Sequence, residues 1–353
     1  MSFSFTALVQ AGPELDTSKT LLRIAFGSCA FQSVPQPIFR TVVQTSPDLY
    51  LSLGDAIYGD YDIKAKTTYE VSPETLRREW QVLADNPDWQ QLIASTPVMA
   101  TWDNHDYGHH SAGAEFELQA ASQDIFLDFF GEPEDSQRRQ TPGVYTAKIF
   151  GPKGRRVQII LLDTRSFKSL PQLAERSADA GGSLGKYAPN RDTDATLLGN
   201  DQWRWLQEQL RLPAEVRLVA SSGQIIADQK GMDEWGNYPL ERERLLQMVA
   251  TVETGQVVLL TGNVHFSEVS RTVVEGGSLV DFTSSGLTHV NEGYAQSPNA
   301  YRVAGPNVDI SFGLVEIDWD ATQDPSVSLS AVSLDGSRVF EYRLSKNSAT
   351  MKP

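Results

Sequence analysis

Five short segments of this chain set potential metal donors directly after apolar runs: Gly27-Ser28-Cys29, Gly54-Asp55-Ala56-Ile57-Tyr58, Trp102-Asp103-Asn104-His105-Asp106, Leu162-Asp163-Thr164-Arg165 and Gly262-Asn263-Val264-His265. Thiolate, carboxylate, phenolate, amide oxygen and imidazole are all represented, a mixed hard and soft donor set. Asp55 stands out. A carboxylate directly after a Gly that ends a buried strand can bridge two cations, because Gly lets the backbone come close. A lone Gly-Asp is more often a turn or helix cap, and a lone tyrosine is more often a half-buried aromatic. The pair is more telling, because a Tyr58 phenolate three residues on can ligate a trivalent ion. Asn263 and His265 alternate onto one face of what reads as an extended segment, so both can reach one cluster.

The elements that must place these residues follow from hydrophobic pattern. Leu21 to Phe26 and Leu49 to Leu53 read as buried strands, each broken by glycine, with a short helix over Pro37 to Gln44 between them. That is a βαβ unit, whose parallel strands are expected to be neighbours, so Cys29 and Asp55 emerge at one sheet edge. Ser72-Pro73-Glu74 starts a helix whose apolar face is Leu76, Trp80 and Leu83. A strand over Pro97 to Trp102 leads into Asn104, and a helix over Phe116 to Phe130 stops at Gly131. Val144 to Phe150 and Arg156 to Asp163 read as a hairpin. Helices over Gln202 to Leu210 and Arg242 to Val249 then alternate with strands over Val216 to Ser221 and Val257 to Thr261. The remainder reads as mainly antiparallel, closing in a hairpin turned by Asp335-Gly336. Lys168 to Arg191, rich in Ala, Gly and Ser, is the candidate irregular loop over the site.

Composition narrows the partners. Charged residues make up 21% and hydrophobic residues 40% of 353 residues, and no composition shift marks a domain boundary. The chain reads as one α/β domain, its core about 21–346, within the size that a two-sheet sandwich can reach. A net charge of −15 argues against nucleic acid as the main partner, since phosphate contacts need clustered Lys and Arg. It would also repel a phosphate ester unless cations reverse the local field. No apolar run reaches membrane-spanning length. Met1 to Gln10 lacks the basic region and long apolar stretch of a secretory signal, so the chain as it stands reads as cytosolic. A periplasmic or secreted location would require a leader already trimmed. Cys29 is the single cysteine, which leaves no internal disulfide; taken alone, such a residue is usually a small buried hydrophobe.

Taken together, the five segments resemble the PhoD-like (alkaline phosphatase D) branch of the calcineurin-like metallophosphatases, over about Arg23 to Thr288. Cys29 replaces the usual first Asp-x-His motif of the superfamily, and Tyr58 follows the Gly-Asp by three residues, as in that branch. The resemblance implies a four-layer α/β/β/α sandwich of two mixed sheets. It implies a ferric ion on Cys29, Asp55, Tyr58 and His265, with one or two Ca2+ (or another divalent ion such as Mn2+ or Zn2+) sharing Asp55 and using Asn104 and Asn263. His105, in the Asn-His-Asp segment, would face substrate as general acid or as stabiliser of transition-state charge. Arg165 would hold a phosphoryl oxygen bidentately with Asp163 orienting it, although a structural ion pair is an equal reading. The chain departs from the family at Asn263, where Asp is common; an oxygen donor remains and one negative charge is lost. The implied reaction is hydrolysis of a small phosphomonoester or phosphodiester by a metal-bound hydroxide or oxide. His109 and His110 read as rim residues without a role. Leu198 to Trp203 and Ser222 to Gln224 read as framework.

Two other classes stay open on sequence. Cys29 can be read as a covalent nucleophile with His105 or His265 as its base. The fold can equally carry a phosphate-ester-binding protein that has lost activity.

Overall fold

The computed structural model describes residues 12–175, 185–320 and 325–344. Two mixed sheets dominate. In spatial order the first holds Arg338–Arg343, Ser326–Ser333, Ser311–Asp318, Arg23–Gly27, Leu49–Leu53 and Val98–Thr101. The second holds Arg302–Asn307, Ser267–Val274, Gly277–Thr283, Gln256–Thr261, Val216–Ala220, Val157–Leu161 and Thr146–Phe150. Three adjacent strands of the first sheet are parallel, those beginning at Arg23, Leu49 and Val98. So are four of the second, those beginning at Val157, Val216, Gln256 and Gly277.

Strand alternation explains the layering. Ile24, Phe26, Leu51 and Leu53 point to one face and meet Ile159, Leu161, Leu218, Leu260 and Phe282 of the other sheet. Phe26 and Phe282 make an edge contact at 5.0 Å between centroids. On the opposite face of the first sheet, Ala25, Tyr50 and Ala100 pack under Phe39, Trp80, Trp89 and Phe126. Ile160, Val219 and Leu259 do the same for the second sheet beneath Trp203, Leu206 and Leu245. The result is four layers, as expected. Burying each of these large side chains contributes roughly 1.5–3 kcal/mol, and the inter-sheet layer is what holds the two strand-end groups in register.

The expected βαβ unit forms, with Ile38–Gln44 as its helix. Pro73–Ala84 starts at a Ser72–Thr75 capping box and buries Leu76, Trp80 and Leu83. Two helices start earlier than their apolar periodicity suggests, at Gly199 and Pro239; proline suits a first turn, where its missing N–H would have no partner. The helix expected from Phe116 begins at Gln119, because Phe116 instead packs on Tyr107, 5.3 Å between centroids. The terminal hairpin turns at Gly336, φ 84°, with Asp335 Oδ1 accepting from Ser337 N. Among the described residues no helix is long and apolar enough to cross a membrane.

Candidate metal centre

The loops leaving the parallel strands of both sheets are bonded to one another. Cys29 N donates to the Gly54 carbonyl at 3.3 Å and Ala30 N to that of Asp55 at 2.9 Å. Across the sheet boundary, Gly286 N reaches the Ser28 carbonyl at 3.1 Å and Asn263 N reaches Ser28 Oγ at 3.1 Å; within the second sheet's loops, His265 N reaches Ser285 Oγ at 2.9 Å. The five sequence segments therefore converge at the carboxyl ends of the strands, where open α/β sheets place their ligand sites.

At the centre, donor atoms of Cys29, Asp55 and His265 all lie within 4.8 Å of one another. Cys29 Sγ is 3.3 Å from Asp55 Oδ2 and accepts from Ser285 Oγ at 3.2 Å. Tyr58 is buried beside them, its ring stacked on His105 at 4.3 Å and its hydroxyl 3.1 Å from His289 Nε2. Asn104 is buried and its Nδ2 has no hydrogen-bond partner; its amide oxygen is the atom that a cation would take. Asn263 lines the same cavity. The six expected donors are thus brought together.

Backbone conformation marks the same residues. Six non-glycine residues have positive φ among the described residues: Cys29, Ser46, Asp55, Lys66, Asn263 and His265. Four of the six are expected ligands. Asn, Asp and His tolerate this region better than most, whereas Cys has no such excuse, and such outliers concentrate at functional sites. The extended segment expected at Asn263 to His265 is corrected here. With φ of 69° and 60° the two residues reach the cavity through left-handed turns, and Val264 between them packs with Phe266 and Ala295.

Two residues impose the turn at Asp55. Asp106 accepts from Asp55 N at 2.5 Å, Ala56 N at 2.9 Å, Ile57 N at 3.0 Å and Asp103 N at 2.9 Å. Gly54, φ 95°, lies so close to the next loop that a Cβ would stand 2.5 Å from Asp103 Cβ.

His105 projects over the centre. Its Nδ1 is paired with Asp60 Oδ1, and Asp60 Oδ2 accepts from His110 N at 3.1 Å. Burial lowers the His105 pKa, but the carboxylates of Asp55, Asp60 and Asp103 outweigh it and the net direction is up. The adjoining cavity of about 330 Å³ is lined by His105, His110, Lys186, Tyr187, Met232 and Tyr294, among others. His110 is therefore part of the wall. Of the loop expected over the site, Gly185 to Tyr187 line this cavity and residues 176–184 lie outside the described residues.

Arg165 takes a different place from the one the resemblance implies. Its Nε donates to Asp103 Oδ1 at 2.6 Å, its Nη1 goes to Asp233, and it is only 2% exposed. Asp163 does not orient the guanidinium; its Oδ1 accepts from the backbone N of Arg165 at 2.8 Å and of Ser166 at 3.0 Å. The ion-pair reading is the one that fits these contacts. Gln202 brackets Asp163 through both its N and its carbonyl, and Gln224 is bonded to Glu268 and Thr283, so both framework segments fit that description.

Electrostatics fit a cation. Burial, then the Asp103 charge, lifts the Asp55 carboxyl to about 7. Burial likewise pushes the Cys29 thiol and the Tyr58 phenol up and holds His265 down at about 4, hence unprotonated. Three potential anions and a neutral imidazole, buried together, are a donor set whose acids positive charge at the centre would ionise. The thiol-nucleophile reading lacks support, because Cys29 is 0% exposed and its thiol is raised, whereas reactive thiols are accessible and lowered.

Sequence reasoning missed Asp60, Asp233, Ser285 and His289. Asp60 had a signal, a second Gly-Asp two residues beyond Tyr58. His289 follows a strand end as the named segments do, six residues past Thr283, and its ring lies 4.4 Å from that of His265.

A sequence model of the family described as PhoD-like phosphatase matches residues 24–323. The chain is 22% identical over 326 residues to the alkaline phosphatase D of Bacillus subtilis (strain 168), covering 82% of this chain. It spans about half, 55%, of that relative's length. A solved structure titled "Structure of PhoD" superposes with a TM-score of 0.66 over 96% of this chain and 74% of that one, at 17% identity.

Proposed function

The chain belongs to the PhoD-like phosphatase family, and from that premise we propose that it hydrolyses small phosphate esters at a metal centre built on Cys29 and Asp55. One observation carries the reading: the donor atoms of Cys29, Asp55 and His265 lie within 4.8 Å of one another at the ends of parallel strands. Cys29, Asp55, Tyr58 and His265 would hold Fe3+, for which three anionic donors are well suited. Asp55, Asn104 and Asn263 would serve one or two Ca2+ or other divalent ions. When bound, these cations supply positive charge against the phosphoryl oxygens and an acidified water for in-line attack.

The protein's own part follows from position. The Asp60 carboxylate keeps the Nδ1 proton of His105 in place, which leaves Nε2 to face the cavity. A protonated His105 donates that Nε2 proton to the departing alkoxide or phenoxide oxygen as its bond to phosphorus breaks. Arg165 touches no substrate in this account; clamped between Asp103 and Asp233, it holds the floor of the site. Tyr187 and Tyr294 offer apolar walls to the ester group.

The test is direct. Protein purified without chelator is assayed with p-nitrophenyl phosphate and bis-p-nitrophenyl phosphate, with elemental analysis of the same sample. Activity that chelation removes and metal restores supports the reading. Chelator-resistant activity, or bound metal without turnover on either ester class, rejects it.

A further inference from the structure

One contact decides how Asn263 faces the centre. Its Nδ2 donates to the main-chain carbonyl of Asp233 at 3.0 Å. A carbonyl oxygen at that distance requires a donor, so the amide orientation is fixed by chemistry. Oδ1 is left as the atom free to face the cavity, beside Asp55, Asn104 and His265.

Neither partner can easily turn away. Asp233 Oδ2 takes Arg165 Nη1 and, at 3.2 Å, Lys168 Nζ. Both cations are buried, at 2% and 1% exposure. The next residue, Glu234, accepts from Lys230 N and Gly231 N at 2.9 Å each, closing its loop. On the other side, Asn263 N is tied to Ser28 Oγ and its φ is 69°.

We propose that the Asp233 carbonyl selects an amide at position 263 and holds it as a neutral oxygen donor to the cation, so that a carboxylate there weakens cation binding. The proposal rests on the cavity being a cation site. A carboxylate of the same shape sets one oxygen against the Asp233 carbonyl, acceptor to acceptor, with no proton between them. It must turn from the cavity, push the Asp233 loop aside, or leave that carbonyl unpaired. Charge alone predicts the reverse, because an added negative charge beside a cation is attractive. The sign of the effect therefore separates the two.

Chelator-treated full-length protein is titrated calorimetrically with Mn2+ and separately with Ca2+, as wild type, Asn263→Asp and Asn263→Ala, with a thermal melt of each. The expected result is binding roughly tenfold or more weaker in Asn263→Asp than in wild type, and no tighter than in Asn263→Ala. Binding by Asn263→Asp equal to or tighter than wild type overturns the proposal. A second measurement needs neither variant to fold well. In metal-free wild type labelled with 15N-asparagine, the Asn263 side-chain amide protons should exchange slowly with solvent. Exchange as fast as that of an exposed asparagine overturns the pairing. If wild type takes up neither cation, the metal-centre reading falls, and the amide measurement alone decides the pairing.

Discussion

The Asp106 carboxylate accepts the main-chain N–H of Asp55 at 2.5 Å, so the central carboxylate of the site is aimed by a second carboxylate that holds its backbone. Three further main-chain N–H groups converge on the same side chain. Asp106→Ala leaves them buried without acceptors, at about 1–3 kcal/mol each. The expected outcome is a loss of at least about 3 kcal/mol in urea denaturation, together with loss of bound metal. Asp106→Asn keeps one acceptor oxygen and should lie between. Wild-type stability in Asp106→Ala would show that water or a rearranged loop satisfies the turn instead.

His105→Ala should lower turnover by roughly two to four orders of magnitude with metal content unchanged. The loss should shrink for esters with good leaving groups, which need no proton. Asp60→Asn should give a smaller loss, roughly one to two orders. Its alkaline limb should move to lower pH, since a carboxylate that favours protonated His105 is gone. Metal loss in His105→Ala would make His105 a ligand and reverse the assignment.

Tyr58→Phe keeps the stack on His105 and removes the phenolic oxygen. If Tyr58 and Cys29 hold Fe3+, concentrated protein is coloured by a ligand-to-metal band. The substitution should shift or bleach that band and speed iron loss to chelator. Colourless, fully active protein with only divalent metal would refute the ferric assignment and leave a divalent phosphatase standing.

Burial lifts the Glu234 carboxyl to about 7 from an ordinary 4.5, against the opposing pull of Lys230. The folded chain therefore keeps a proton that the unfolded chain has released between those values. Stability from this group is fully present below about 4.5 and is lost as pH rises through about 7, by at most about 3 kcal/mol. Glu234→Gln cannot ionise, so its stability relative to wild type should rise between about pH 4.5 and pH 7 and level off above that in parallel denaturant titrations. A flat difference across that window would place Glu234 in contact with solvent.

Much of the framework was legible because strands that are buried on both faces announce themselves as apolar runs, and glycines such as Gly27 and Gly54 mark where they end. The six expected donors were legible through position at those ends. What stayed hidden depends on contacts far apart in the chain. Nothing near Arg165 signals that its charge is consumed by Asp103 and Asp233, 62 and 68 residues away. Nothing near Asn263 names the Asp233 carbonyl. The left-handed turns were invisible for a related reason: Cys29 has no local preference for one, the tolerance of Asn, Asp and His is too weak to announce one, and the surrounding loops hold them there.

Those turns set stability and function against each other at four named positions. Cys29, Asp55, Asn263 and His265 each hold a backbone conformation that glycine adopts freely and side chains resist, a resistance of order 1–3 kcal/mol per residue. Glycine at any of the four would relax the main chain and delete a proposed ligand in the same step. Selection for a sturdier fold alone would thus erode the centre one residue at a time, each loss looking like an improvement. On the fold's account alone, glycine would serve better at all four places than the side chains that stand there.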